Sequence, residues 1–252
     1  MTQRLSVYLP IYNEEVRLEA CLQRLGFADE IVVVLDKCTD GSKAIAQKFG
    51  AKIVEGNWAI EAPRRNAGID ACTGDWIFEV DADEHVPPEL AAEMRQVINT
   101  SQAQLHGVPL DNYIGKVLVR YGWGAYFGVS QKASLFRKNA KRYVGARVNH
   151  AHVQFDGVFG PVLQNRITHY LDDNLSDTLR RFDSYTTQLA KDLLAANIQE
   201  SFGRNFRRIF SRFYKCYVRR HGYREGAIGF LIAMLAGLYP MVGYIKARYG
   251  WV

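Results

Sequence analysis

The sequence predicts an α/β protein with a mostly parallel, doubly wound sheet, helices on both faces, and a helical C-terminal extension. Three observations carry that expectation. Short β-branched runs alternate with helical stretches of about 10–15 residues through the first 100 positions, the pattern of successive β-α-β units. One run, Glu30-Ile31-Val32-Val33-Val34-Leu35, is unbroken and reads as a strand covered on both faces, as in parallel sheets. From about residue 173 the strand signals stop and helical apolar spacing takes over.

Taken in order, Leu5 to Ile11 is the first strand. Tyr12-Asn13-Glu14-Glu15 turns into a helix with apolar residues at Val16, Leu18, Cys21, Leu22 and Leu25. The second strand, Glu30 to Leu35, runs into a polar loop, Asp36 to Ser42. Asp40 or Ser42 can cap the helix that ends near Phe49-Gly50. Lys52 to Glu55 is a short strand, and a helix runs from about Pro63 to Cys72. Gly74 precedes Trp76-Ile77-Phe78-Glu79-Val80, a buried strand that ends in Asp81-Ala82-Asp83-Glu84. Pro87-Pro88 opens a helix to about Ile98.

Residues 105–170 read as strand-rich, at 113–119, 130–136, 153–155 and 166–169. Glycines and aromatics alternate from Tyr121 to Gly128, which suits either sugar stacking or a loop closing over the core. Leu175 to Ile198 is a helix with Ser176 as its cap. In residues 202–224, Arg204, Arg207, Arg208, Arg212, Lys215, Arg219, Arg220 and Arg224 interleave with Phe206, Ile209, Phe210, Phe213, Tyr214 and Tyr217. That is a basic amphipathic helix, either docked on an anionic membrane or presenting a solvated basic face. Gly226 to Ile245 is apolar but punctuated by Gly229, Gly237, Pro240 and Gly243. It reads as an embedded or interface-lying helix in preference to a spanning one.

A chain of 252 residues, 48% apolar, excludes disordered, collagenous and low-complexity classes. The four cysteines are scattered without metal-ligand spacing, and the N-terminal stretch has no signal-peptide pattern. Reduced thiols in a cytoplasmic protein are expected. The net charge of +6 conceals an asymmetry. Residues 1–113 carry 10 Lys/Arg against 18 Asp/Glu, a net of −8, which leaves +14 on residues 114–252. The acidic half suits metal and nucleotide chemistry and the basic half an anionic surface. No nucleic-acid recognition motif is present, so nucleic acid is not the expected partner.

Asp81-Ala82-Asp83 stands at the carboxyl end of a strand, where open α/β sheets bind ligands. Taken alone, Asp-x-Asp fits a polar turn as well as a site for Mg or Mn. Asn13 and Asp36 follow the ends of two other strands, and three such ends converge on one crevice. No dinucleotide or P-loop glycine motif appears, and a diphosphate without a glycine cradle needs a metal.

Four stretches then carry a resemblance: Val7 to Glu15, Asp29 to Asp36 with Thr39-Asp40-Gly41-Ser42, Arg65-Asn66-Ala67-Gly68, and Gly74-Asp75-Trp76 leading to Asp81-Ala82-Asp83-Glu84. In that order they resemble family-2 glycosyltransferases with the GT-A fold, notably the bacterial branch that glycosylates the lipopolysaccharide inner core. The resemblance implies residues 1–172 as the catalytic domain, 1–100 for the nucleotide sugar and 101–172 for the acceptor, while the basic and apolar pattern of 173–252 suits association with membrane. It implies that Pro10, Tyr12, Asn13 and Glu14 line the nucleobase and ribose, that Asp36 bonds the uracil, and that Arg65 and Asn66 border the donor. Asp81 would face ribose and metal, and Asp83 would ligate a Mn or Mg ion on the diphosphate.

The implied activity is inverting transfer of glucose or a similar hexose from a UDP-sugar to a glycolipid, at the inner face of the cytoplasmic membrane. Transfer to a polyprenyl phosphate, or a membrane-surface binder of impaired chemistry, is the alternative. The sequence departs from the family at Ala151, where the resemblance expects the glutamate base after His150. His150, or else His152 or Asp156, is then the candidate catalytic base.

Overall fold

The computed structural model describes residues 2–124, 128–145 and 152–252. The chain forms two compact units: residues 1–110 with 131–169, and residues 111–130 with 170–252. Residues 111–130, expected with the N-terminal part, thus cluster with the C-terminal helices.

The first unit contains β1 (Leu5–Ile11), α1 (Glu15–Leu22), β2 (Glu30–Asp36), α2 (Ser42–Lys48), β3 (Lys52–Gly56), α3 (Glu61–Ala71), β4 (Trp76–Glu79), β5 (Glu84–His85) and α4 (Pro88–Thr100). It also contains the start of β6 (Leu105–Ile114), then β8 (Gln131–Arg137), β9 (Lys141–Val144), β10 (His152–Phe155) and most of β11 (Ile167–Asp172), while β7 (Val117–Val119) belongs to the second unit. The strands follow the order β3-β2-β1-β4-β8-β6-β11-β5. The first four are parallel, and β8 adds antiparallel to β4.

Strand alternation sorts the core into two layers. Leu5, Val7, Leu9, Ile11, Val33, Leu35, Trp76 and Phe78 meet Leu18 and Leu22 of α1, Ala46 of α2, and Leu90, Met94 and Ile98 of α4. Tyr8, Val32, Val34 and Ile77 face the other way, onto Ala62 and Ile69 of α3. Helices therefore cover both faces. Each fully buried large apolar side chain contributes about 1.5–3 kcal/mol. Gly68 is required where α3 meets β1, because a Cβ there would come within 2.4 Å of the Tyr8 ring.

The second unit is built on α5 (Leu175–Ala195), α6 (Phe202–Tyr214) and α7 (Gly226–Tyr249). Asn174, not Ser176, caps α5, accepting a hydrogen bond from Asp177 N at 3.1 Å. Arg181 pairs with buried Asp172 at 2.8 Å, fixing the first turns of α5 to the end of β11. The basic stretch is broken where one helix was expected: α6 gives way to a π-helical turn at Lys215–Arg219, then left-handed His221 (φ 57°). The apolar segment is a continuous helix. Its glycines are notches for neighbours: a Cβ at Gly237 would meet the Ile209 carbonyl of α6, and one at Gly243 the Leu189 side chain of α5.

Candidate active site

The turn after β1 and the turn after β2 are stitched together. Asn13 Oδ1 accepts from Thr39 N (2.8 Å), Ser42 Oγ from Glu14 N (3.0 Å), Asp40 Oδ2 from Glu15 N (3.0 Å), and Glu15 Oε2 from Gly41 N (2.7 Å). Asn13 and Lys37 sit in the left-handed region, φ 51° and 53°, directly after their strands. Such backbone persists where surrounding bonds over-determine it. Thr39-Asp40-Gly41-Ser42 is therefore a brace for Asn13 to Glu15. The Tyr12 ring is exposed and Pro10 half-buried. Burial and the charges of Asp83 and Asp81 raise the Glu14 pKa, which places its carboxyl in the field of the acidic strand end.

Two adjacent arginines of α3 hold acids at the ends of two different strands. Arg64 reaches Asp36 at 3.5 Å, and Arg65 reaches Asp81 at 3.6 Å. Asp36 is buried, and its Oδ1 also accepts from Trp58 N at 3.0 Å. The Arg65 side chain, 15% exposed, lies among acids as well, bonding Glu61 at 2.6 Å and Glu79 at short range. Arg65 is therefore not a solvated helix residue. Asn66 bridges to β9 with both ends of its amide, donating to Tyr143 O (2.8 Å) and accepting from Tyr143 N (3.0 Å). Its polar atoms thus face a strand, where the resemblance expected the donor.

Below this lies a buried charge cluster. Glu79 accepts from Lys141 Nζ at 2.7 Å and from Tyr143 Oη at 2.7 and 2.8 Å. Burial opposes the Glu79 charge, but Lys141 and Arg65 overcome it and bring the pKa down to about 2.

At the strand end the two aspartates have different surroundings. Lys132 of β8 ties Asp81 (2.5 Å) to fully buried Glu84 (2.6 Å). Burial opposes ionisation of Asp81, and Lys132 and Arg65 reverse the balance, holding its carboxyl well below the usual range. Asp83 instead has Oδ1 buried with no hydrogen-bond partner, and Oδ2 lies 3.5 Å from His169 Nε2. Burial alone would lower the His169 pKa; the bond to Asp83 and the Glu84 charge raise it. Among the described residues no group of three His, Cys, Asp or Glu side chains stands in metal-binding geometry. An unpartnered carboxylate oxygen with an imidazole beside it nevertheless fits Mg or Mn, which use one or two protein carboxylates and take substrate phosphates and water for the rest.

The structure thus brings Glu14, Asp36, Arg65, Asp81 and Asp83 around one strand-end site. His150 and Ala151 lie outside the described residues. His152 is exposed on β10. Sequence reasoning missed Lys132, His169 and Lys141, which come from isolated positions on other strands and carry no local pattern, and it passed over Glu79, which stands on β4 itself. A separate cavity of about 630 Å³, lined by Thr73, Asp75, Arg137 and Asp156 among others, lies toward the opposite end of β4, and Asp156 is the one candidate base it holds, away from the strand-end acids.

Acids at the carboxyl ends of parallel strands, with an antiparallel strand added beside them, are the arrangement of a GT-A nucleotide-sugar transferase. The comparisons name the family: the Glycosyl transferase family 2 pattern matches residues 6–159. The chain belongs to that family and is a nucleotide-sugar-dependent glycosyltransferase. A glycosyltransferase of Rickettsia bellii is 26% identical over 98% of this chain and 87% of its own. The lipopolysaccharide core biosynthesis glycosyltransferase LpsC of Rhizobium meliloti is 22% identical, over 96% and 91%. The S. aureus TarS 1-349 structure in complex with UDP-GlcNAc superposes with a TM-score of 0.52 at 15% identity, covering 98% of this chain and 87% of that one.

Proposed function

We propose that the chain transfers glucose or a similar hexose, with inversion, from a UDP-sugar to a glycolipid such as a lipopolysaccharide core, at the inner face of the bacterial cytoplasmic membrane. The observation that carries the reading is Asp83, an unpartnered buried carboxylate oxygen beside a histidine at the end of β4. UDP as the nucleotide is supported by the fold shared with TarS, solved with UDP-GlcNAc. The acceptor class is supported by the relationship to LpsC.

In this reading Asp83, with His169 beside it, holds a Mn or Mg ion. When bound, that ion supplies positive charge to the leaving diphosphate as its negative charge develops. Tyr12 offers an exposed ring to the nucleobase, and Pro10, Asn13 and Glu14 border it. Asp36 and Arg65 flank the uracil and diphosphate sides, with Asn66 holding β9 in place behind them. Asp81, kept ionised by Lys132 and Arg65, faces the ribose. His150 takes the proton from the acceptor hydroxyl.

A thermal-shift panel of nucleotide sugars, with and without Mn, tests the reading. A ligand at about 100 times its Kd stabilises the folded state by about 2.7 kcal/mol. A UDP-hexose should raise the melting temperature in the presence of Mn and much less after EDTA. A response confined to another nucleotide, or indifferent to metal, would overturn the donor or the metal assignment.

A further inference from the structure

We infer that the outward aromatic stripe of α6, and not the apolar helix α7, is the element that seats on an anionic lipid surface. The inference rests on the proposed glycolipid acceptor and assigns the contact to particular side chains. Phe202, Phe206, Phe210 and Tyr214 recur every fourth residue and are 59%, 49%, 62% and 56% exposed. The rings touch in series along the helix, Phe202 stacked on Phe206 with centroids 5.9 Å apart and Phe206 edge-on to Phe210 at 5.3 Å. Arg204, Arg207 and Lys215 are exposed on the same stretch of chain. A different side of the helix is the packed one: Asn205 is buried, and the Ile209 backbone meets Gly237 of α7.

α7 is long and apolar enough to cross a membrane, but 61% of its most apolar window is buried within the protein. Crossing a bilayer would strip it from α5 and α6, so its apolarity is already accounted for by packing. The α6 stripe has no such cover. A contiguous exposed aromatic strip flanked by arginine and lysine matches the interfacial layer of a bilayer, where rings lie among the headgroups and basic residues meet anionic lipid. Each basic residue near such a surface adds about fivefold in affinity. Nucleic acid fits less well, because rings in mutual contact leave no room for a base between them.

The test uses the full chain with vesicles of neutral phosphatidylcholine, or of phosphatidylcholine with phosphatidylglycerol. Wild type should co-sediment with the anionic vesicles, more at low salt than at high salt. The triple variant Phe206→Ser/Phe210→Ser/Tyr214→Ser should lose at least about tenfold in binding, and Arg204→Gln/Arg207→Gln/Lys215→Gln should lose the preference for anionic lipid. Phe210→Trp should add a blue-shifted emission, above the wild-type signal, that brominated acyl chains quench.

Unchanged vesicle binding in the aromatic triple variant would overturn the inference, as would an emission from Phe210→Trp untouched by brominated lipid. So would a concentration-dependent dimer abolished by the aromatic triple variant, or binding to DNA in place of vesicles. The UDP-sugar melting shift is read on every variant and should stay at the wild-type value. If that shift is missing throughout while vesicle binding behaves as described, the donor reading fails and the assignment of α6 stands.

Discussion

At the scale of single residues, the end of β4 separates two acids of one motif into two roles. Asp83→Ala removes a carboxylate that no packing or hydrogen bond uses on its Oδ1 side, so transfer should fall by orders of magnitude with the melting temperature nearly unchanged. Turnover and thermal melting measured together check this, and wild-type turnover would defeat it. Lys132→Met acts in the opposite way. It leaves fully buried Glu84 without its cation, which costs about 3–5 kcal/mol for a broken buried pair. The urea midpoint should drop sharply, and adding Glu84→Gln should recover part of the loss, because the uncompensated charge is then gone.

For the base, His150→Ala should abolish transfer. Flat turnover in Ala151→Glu beside that loss would make histidine the base, whereas a gain of at least about tenfold would return the role to the family's glutamate position, since a positioned base contributes about 10²–10⁴ in rate. Donor-induced melting shifts should be equal in both variants. Asp81, Asp83 and Asp36 were legible because strand ends announce themselves. Lys132 was not, since a lysine in Gln131-Lys132-Ala133-Ser134 looks like any edge-strand cation until β8 is known to lie beside β4.

At the scale of elements, α3 is the part on which the site depends most. Its N-terminal half supplies Arg64 and Arg65, Asn66 clasps β9, and Gly68 lets the helix lie against Tyr8. Gly68→Val should push the helix off the sheet at a cost of about 1–3 kcal/mol, typical of overpacking. The expected outcome is a lowered urea midpoint together with weaker donor binding, since both arginines move with the helix. A variant with the loss of stability but unaltered donor affinity would show that α3 does not position the site. The β-branched strands and amphipathic helices of the first 100 residues were readable from period alone. α7 was expected as a helix, but its glycines looked like breakers in the sequence, whereas here Gly237 and Gly243 are points of close helix approach. β9 was missed for a related reason: its four residues include Lys141 and Arg142, and the lysine is buried only because Glu79 waits for it.

At the scale of the whole molecule, the buried cluster around Glu79 ties strands β4 and β9 and helix α3 into one acid-sensitive unit. The Glu79 pKa is depressed in the folded state, from an ordinary value near 4.5 to about 2. Its contribution is therefore complete above about pH 4.5 and is lost as the pH falls through about 2. The gap corresponds to about 3 kcal/mol. The urea midpoint of wild type should fall between pH 5 and pH 2.5 by more than that of Glu79→Gln, which has nothing to titrate there. Parallel slopes would show that the acid sensitivity comes from elsewhere.

The sheet order has a consequence during synthesis. β1 to β4 are complete once Glu79 has been made, but the open edge of β4 is closed only by β8, which begins at Gln131. At about 5–20 residues per second the ribosome needs roughly 3–10 s to supply that partner. Throughout that interval Trp76, Ile77 and Phe78 flank an unpaired strand edge, the kind that recruits another chain. Nascent chains arrested between β4 and β8 should therefore bind cellular chaperones, and release should follow within a few seconds of the Gln131–Arg137 segment clearing the exit tunnel.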